Sequence, residues 1–170
     1  MSRRDQIRMT PDELTAYLDE QKVVNVATIG PNGRPHLAPL WYYPHESGIA
    51  TWTYGSSQKA KNLERDPRAT VLIEDGEGYD KLRGISFEAD VEVVTDTAAV
   101  TRMGIELMQR YAGAPPETRI PAEGASDQPG DPVPDELAGF IGKQAPKRIG
   151  LIFRPTKITS WDHTKLGGTY

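Results

Sequence analysis

One run of residues carries the clearest chemistry in this chain: Thr51-Trp52-Thr53-Tyr54-Gly55-Ser56-Ser57-Gln58-Lys59-Ala60-Lys61-Asn62-Leu63. A strand-like segment ends in small hydroxyl residues, and helix formers begin at Gln58. A helix N-terminus presents N–H groups that no intrahelical carbonyl accepts, together with the positive end of the aligned peptide dipoles. Both suit a phosphate. Ser57 can add a hydroxyl donor and Lys59 a charge. The same pattern also describes a capped surface helix with solvated lysines.

Aromatic residues gather on either side of this run. Trp41, Tyr42 and Tyr43 fall in one segment, Trp52 and Tyr54 in the next, and Trp161 near the C-terminus. Aromatics beside a phosphate site can wall a flat ring system, which needs apolar burial and a few polar anchors. Trp52, in a short apolar segment, fits core packing equally well. Of the three histidines, His36 and His45 read as strand-surface and turn residues. His163, beside Asp162 and Trp161, is the candidate for chemistry.

Much other chemistry is excluded. There is no cysteine in the 170 residues, so there is no disulfide scaffold, thiol nucleophile, thiolate zinc site or iron–sulfur cluster. The histidines are too scattered for metal-ligand spacing, and no metal site is expected. No Walker loop, H-E-x-x-H or G-x-S-x-G motif is present. A net charge of −4 argues against a broad nucleic-acid footprint. No apolar run is long enough for a membrane span. Met1-Ser2-Arg3-Arg4-Asp5 leads into no apolar stretch, so the expectation is a cytoplasmic protein without a signal peptide.

The elements that must position these residues are mostly strands. Apolar residues at 37% and charged residues at 26% fit one globular domain spanning residues 1–170. Thr10-Pro11-Asp12-Glu13 is a capping box with proline at the first helical position, opening a helix to about Glu20 with Leu14, Tyr17 and Leu18 inward. Val23–Ile29 is β-branched and short, Gly30-Pro31-Asn32-Gly33 is a turn, and Arg34–Tyr43 returns as an edge or bent strand because of Pro35 and Pro39. After a turn at 44–48, Ile49–Tyr54 reads as a third strand of an antiparallel meander. Gln58–Arg65 is a helix stopped by Asp66-Pro67, and Ala69–Glu74 a buried strand. In Ile85–Thr95, Phe87, Ala89, Val91 and Val93 alternate with acidic residues, the pattern of a half-exposed strand.

Thr97–Tyr111 carries a helical stripe of Val100, Met103, Leu107 and Tyr111. Ala114–Asp135 holds six prolines and five acidic residues and reads as a long loop. Lys147–Phe153 and Lys157–Trp161 read as two final strands around Arg154-Pro155. The sum predicts a mostly β protein, a small antiparallel barrel with outer helices.

Three segments together carry a resemblance. Val23 to Gly30 with Asn32-Gly33-Arg34-Pro35, and Pro39-Leu40-Trp41-Tyr42, resemble the first hairpin of the pyridoxamine-5′-phosphate-oxidase-like split β-barrel proteins. Ser57-Gln58-Lys59-Ala60-Lys61-Asn62-Leu63-Glu64-Arg65-Asp66-Pro67-Arg68 resembles that family's cofactor-phosphate helix. Ser160-Trp161-Asp162-His163-Thr164-Lys165-Leu166 is similar to the ending of its actinobacterial flavin/deazaflavin oxidoreductase B group. The resemblance spans nearly the whole chain outside 114–135. It implies a homodimer with two cofactors in grooves between subunits. Ser57 and Lys59 would hold the cofactor phosphate, helped by Thr51 and Thr53, with Lys61 and Asn62 nearby. Pro39, Leu40 and Trp41 would line the ring beside Trp52, and Trp161 and His163 would reach in from the partner.

The resemblance leaves two cofactors in competition, FMN and the deazaflavin coenzyme F420. The deazaflavin carries a phospholactyl-oligoglutamate tail, for which Lys59, Lys61, Arg68 or Lys165 would supply positive charge. The C-terminal segment favours F420. The implied activity is F420H2-dependent reduction of an unsaturated or conjugated small molecule by hydride transfer, with the proton delivered by water, a tyrosine or His163. The alternatives are an FMN-dependent oxidase or reductase, a non-catalytic flavin, F420 or haem binder, and a dimeric barrel without ligand.

Overall fold

The computed structural model describes residues 2–46, 48–112 and 135–167. The described elements are, in chain order, α1 (Arg3–Gln6), α2 (Pro11–Glu20), β1 (Val23–Ile29), β2 (Pro35–Trp41), β3 (Tyr43–His45), β4 (Gly48–Tyr54), α3 (Gln58–Arg65), β5 (Arg68–Asp75), β6 (Arg83–Val94), α4 (Thr97–Ala112), α5 (Asp135–Gln144) and β7 (Arg148–Asp162). All ladders are antiparallel, and the strands form one mostly β sheet in the order β2-β1-β5-β6-β7-β4-β3.

Local sequence accounts for several of these boundaries. Thr10 Oγ1 accepts from the Glu13 N–H at 3.3 Å while the Glu13 carboxylate accepts from the Thr10 N–H at 2.7 Å, completing the capping box of α2. Gly33 takes a left-handed φ of 78° in the β1–β2 turn, a conformation that costs glycine little. Asp66 closes α3, its N–H donating to the Asn62 carbonyl.

Four sequence expectations need correction. The first three strands are not a meander: among the described residues β2 pairs only with β1, β3 pairs only with β4, and β2 and β3 are the two edges of the sheet. Pro44 and His45 belong to β3, and the turn tightens onto Glu46 at a φ of 48°. The final two strands are one 15-residue strand, β7. Its register against β6 shifts between Glu88 and Ala89, so that Thr156 bulges and its Oγ1 donates to the Glu88 carbonyl at 3.2 Å. The bulge lets Pro155, which has no N–H, sit in a ladder that continues past it. Finally, Asp135–Gln144 is a helix where none was expected. The rest of the stretch read as a loop over 114–135 lies outside the described residues.

The direct passage from β2 to β3 forces the sheet to curl. Only Tyr42 lies between the two edge strands, and it is fully buried. Its N–H donates to Tyr111 Oη at 3.0 Å and its hydroxyl donates to the Leu18 carbonyl at 2.8 Å. Thr51 Oγ1 on β4 donates to the Trp41 carbonyl on β2 at 2.5 Å, tying the two sides of the seam where no ladder does. The curled sheet encloses a core of Val24, Val26, Ile49, Val71, Ile73, Ile85, Phe87, Leu151 and Phe153. A second core lies outside the barrel. There α4 and α5 bury Val100, Met103, Leu107, Leu137 and Ile141 against Tyr43, Ala50 and Trp52.

Tyr111 links these layers, since its hydroxyl accepts from Tyr42 and donates to the Lys22 carbonyl. Tyr111→Phe should leave buried backbone groups unpartnered and cost about 1–3 kcal/mol of unfolding free energy in denaturant titrations. A loss near zero would mean that water replaces the hydroxyl.

Candidate functional site

The end of the barrel plugged by α3 is polar inside, unlike the rest of the interior. Thr28 and Asn62 are buried there, Thr53 is buried beside Ser57, and Thr51 is buried at the seam against Trp41. Asn62 Nδ2 donates to Thr28 Oγ1 at 3.0 Å, and Gln58 Nε2 donates to Asn62 Oδ1 at 2.8 Å. Both ends of the Asn62 amide are therefore engaged, its Nδ2 tying α3 to β1 and its Oδ1 held from within α3, and Asn62 has no exposed surface. Arg65 adds a bond to the Ile29 carbonyl.

Ser57 caps α3, its Oγ accepting from the Ala60 N–H at 3.4 Å, and it lies 3.5 Å from Thr53 Oγ1. Lys59 occupies the first turn of the same helix and is half-buried. Burial pushes its ammonium below the ordinary lysine range. No carboxylate pairs with it among the described residues. The arrangement of a capped N-terminus, two hydroxyls and an unneutralised, partly desolvated cation fits a phosphate group.

The remaining sequence candidates scatter more widely. Thr51 uses its hydroxyl hydrogen on Trp41, so it has no proton to offer a phosphate while the seam is closed. Trp52 is 5% exposed and belongs to the second core, where a Cβ on Gly104 of α4 would strike its ring. That burial removes it from any open ring-binding wall. Trp41 stacks on Tyr111 with centroids 4.3 Å apart and planes 10° from parallel. Leu40 packs toward the inner core, and Pro39 is exposed on the outer face of β2. Lys61 is exposed.

Trp161 and His163 lie at the opposite end of β7 from the strand pairing that abuts Ser57. Tyr54, three residues before Ser57, pairs with Arg148 at the start of β7, and Trp161 pairs with Gly84 near its finish. A strand of this length extends roughly 45 Å. One chain therefore does not bring the two halves of the expected site together. The indole of Trp161 lies over Gly84, where any Cβ would collide with it. His163 Nδ1 is 2.8 Å from the Tyr79 carbonyl, and the two rings meet edge to face at 4.9 Å. A carbonyl only accepts, so Nδ1 carries the proton in this contact.

Two of the cations considered for an acidic tail are already neutralised. Arg68 forms a fork with Asp66 at 2.9 and 2.7 Å, holding that carboxyl down to about 2. Lys165 pairs with Glu13 at 2.5 Å. Among the described residues no group of histidine and acidic side chains forms a metal site, and no helix is long and apolar enough to cross a membrane. Sequence reasoning missed Tyr79, whose partner is distant in sequence, and Arg148, discussed below.

Among the described residues no helix covers the outer face of β1, β2 and β5. Val23 is 47% exposed and Leu37 66%, and the register sets Ala27, Ile29 and Leu72 on the same side. A groove of about 320 Å³ opens on this side, lined by Ala27, Ile29, Pro35, Arg68, Thr70 and Glu88 among others, and it does not include Ser57 or Lys59.

The curled antiparallel sheet and the phosphate-compatible start of α3 define a small β-barrel with a candidate anion site. Residues 10–161 match the pyridoxamine 5′-phosphate oxidase family, and the chain belongs to that family. It is similar to an F420H(2)-dependent biliverdin reductase of Mycobacterium tuberculosis (strain CDC 1551 / Oshkosh), 29% identical over 110 residues, which are 64% of this chain and 77% of the relative. The crystal structure of the conserved hypothetical protein Rv2991 from Mycobacterium tuberculosis superposes with a TM-score of 0.82 at 35% identity, covering 100% of this chain and 95% of that one. A solved F420 reductase, 19% identical, shares the fold with a TM-score of 0.58 over 84% of this chain and 93% of its own.

The run after Ser57 separates into anchoring and exposed positions. Asn62→Ala should destabilise by about 1–3 kcal/mol, because it strands the buried Thr28 hydroxyl. Lys61→Ala should change stability by no more than about 0.5 kcal/mol. Thermal and denaturant unfolding of the two variants checks the split.

Proposed function

We propose that the protein is a homodimeric oxidoreductase that binds coenzyme F420 and reduces an unsaturated or conjugated small molecule. The observation that carries this reading is the half-buried Lys59 beside Ser57, a cation with no counter-ion at a helix start suited to phosphate. Family membership supports a phosphate-bearing redox cofactor. The similarity to a relative named for F420H(2) favours the deazaflavin. The family description itself fits the second reading, an FMN-dependent oxidase or reductase in the same groove.

The deazaflavin, when bound, supplies the hydride. This chain's residues bind, orient and exclude water. Ser57 and Lys59 fix the phosphate end, with Thr53 behind them. Pro39 to Trp41 border the seam next to that end. Trp161 and His163 of a second copy complete the groove, since the chain's own pair lies at the far end of β7. The uncovered face with Val23 and Leu37 is the surface on which the copies meet. His163, its ring oriented by the Tyr79 carbonyl, is the residue of that pair that would pass a proton to the reduced substrate.

Titration of the purified protein with F420, FMN and haem, followed by absorbance and fluorescence, is the direct test. F420 should bind most tightly, and preference for FMN would replace the first reading with the second. Lys59→Ala should weaken F420 binding by roughly 1.5–3 kcal/mol, about 10- to 150-fold in Kd.

The pH dependence of that affinity has a definite sign. Burial lowers the Lys59 pKa in the free protein, and a phosphate anion beside it raises the pKa on binding. Affinity is full while the free protein still carries the ammonium. It falls as alkaline pH removes that proton. The fall should begin at lower pH than for an ordinary lysine, and Lys59→Ala should abolish it. A wild-type pH profile that matches that of Lys59→Ala would sink the assignment of Lys59.

Sedimentation at micromolar concentration should return about twice the chain mass. Leu37→Arg places a charge on the uncovered face and should yield monomers that lose F420. A monomeric wild-type protein with full cofactor affinity would remove the shared groove.

A further inference from the structure

Arg148 is an arginine whose surroundings have no explanation in the fold or in the proposed site. Its guanidinium carbon lies 4.4 Å from the centroid of the Trp52 ring and 4.2 Å from that of Tyr54. Its Nε is buried and has no hydrogen-bond partner. Three described arginines are half-buried: Arg83, Arg110 and Arg148. Arg83 is neutralised by Glu20 and Asp75, and Arg110 by Asp19. No carboxylate pairs with Arg148 among the described residues.

The two rings hold this cation flat and offset part of its lost hydration, but they leave its hydrogen-bonding edge unmatched. A planar, prepositioned donor fork matches a carboxylate, which it can take in a bidentate pair. Its place is specific. Arg148 pairs in register with Tyr54, the Gly55 N–H donates to the Lys147 carbonyl at 3.1 Å, and the Ser57 N–H donates to the Tyr54 carbonyl at 3.0 Å. Arg148 therefore stands within one turn of Ser57, on the outer side of β4, whereas Thr53 and Ser57 face the barrel interior.

We infer that Arg148, clamped between Trp52 and Tyr54 without a counter-ion, binds a carboxylate of the ligand whose phosphate end sits at Ser57 and Lys59. The inference rests on the proposed cofactor site. The ligand chemistry is an anionic chain that leaves the phosphate and carries carboxylates, as the oligoglutamate tail of F420 does and FMN does not. Arg148 is then the residue of this chain that separates the two cofactors. Arg68 and Lys165 are excluded from that role by their own ion pairs.

The test compares the full-length wild type with Arg148→Gln, Arg148→Lys and Tyr54→Leu, titrated with F420 bearing its oligoglutamate tail and with FMN. Arg148→Gln should weaken F420 binding by roughly tenfold and leave FMN within about twofold, the expectation for losing one charge-assisted bidentate contact. Arg148→Lys keeps the charge, loses the fork and should fall between. Tyr54→Leu removes the exposed half of the clamp without disturbing Trp52, and should weaken F420 selectively even if the Arg148 variants unfold. Equal losses for both cofactors, or none for either, overturn the inference while leaving the proposed cofactor site standing. Failure of the wild type to bind F420 overturns both.

Discussion

The structure depends on a passage one residue long. β2 ends at Trp41, β3 begins at Tyr43, and these strands are the two edges of a single seven-stranded sheet. Consecutive Cα atoms are about 3.8 Å apart, so the two edges are held within a few ångströms of each other. A flat sheet of seven strands cannot meet that condition, and the sheet closes on itself. Closure follows from connectivity and needs no continuous ladder. At the seam the Thr51 hydroxyl and the buried Tyr42 stand in for strand pairing. Tyr111 fastens the same junction from outside, which is why α4 packs where it does.

A seam closed by side chains differs chemically from one closed by a ladder. It leaves hydroxyls buried in an otherwise apolar barrel, and at the end plugged by α3 Asn62 satisfies Thr28 while Gln58 satisfies Asn62. The charges around it are sorted. Arg68, Arg83, Arg110, Arg154, Lys157 and Lys165 each have a carboxylate partner. Lys59 and Arg148 are partly desolvated and have none. Among the described cations that are half-buried, only these two lack a carboxylate partner, and they lie near one turn. That is a better guide to an anionic ligand than net charge, which is −4 for the chain.

Elements whose cause is local were legible in the sequence. The capping box of α2, the β-branched β1, α3 with its Asp66 stop, the alternation along β6 and the stripe of α4 all follow from residues within a few positions of each other. Features set by distant pairing were not. Nothing near Trp41 indicates that its strand leaves one sheet edge for the other. Arg154-Pro155 reads as a break unless β6 is known to absorb it through a bulge at Thr156. The helix that carries Leu137 and Ile141 takes its partners from α4, distant in sequence. The candidate site divides in the same way. Ser57 and Lys59 announce themselves by their helix start. Arg148 acquires meaning only once the register places Tyr54 beside it and Trp52 on the same face.

β7 lies between β6 and β4, and both long ladders of the final third of the sheet run through it. The β3–β4 hairpin has no other strand to pair with, yet about a hundred residues separate it from its partner in sequence. During synthesis on a ribosome, the hairpin therefore emerges with an unpaired edge and stays so until Arg148–Asp162 has been made. The polypeptide cannot acquire a barrel in stages from its N-terminus, and closure comes as one late event. Such a chain folds slowly for its size and exposes a sticky strand while it waits. The prolines of β2 then have a second use, because they blunt the other open edge through the same interval.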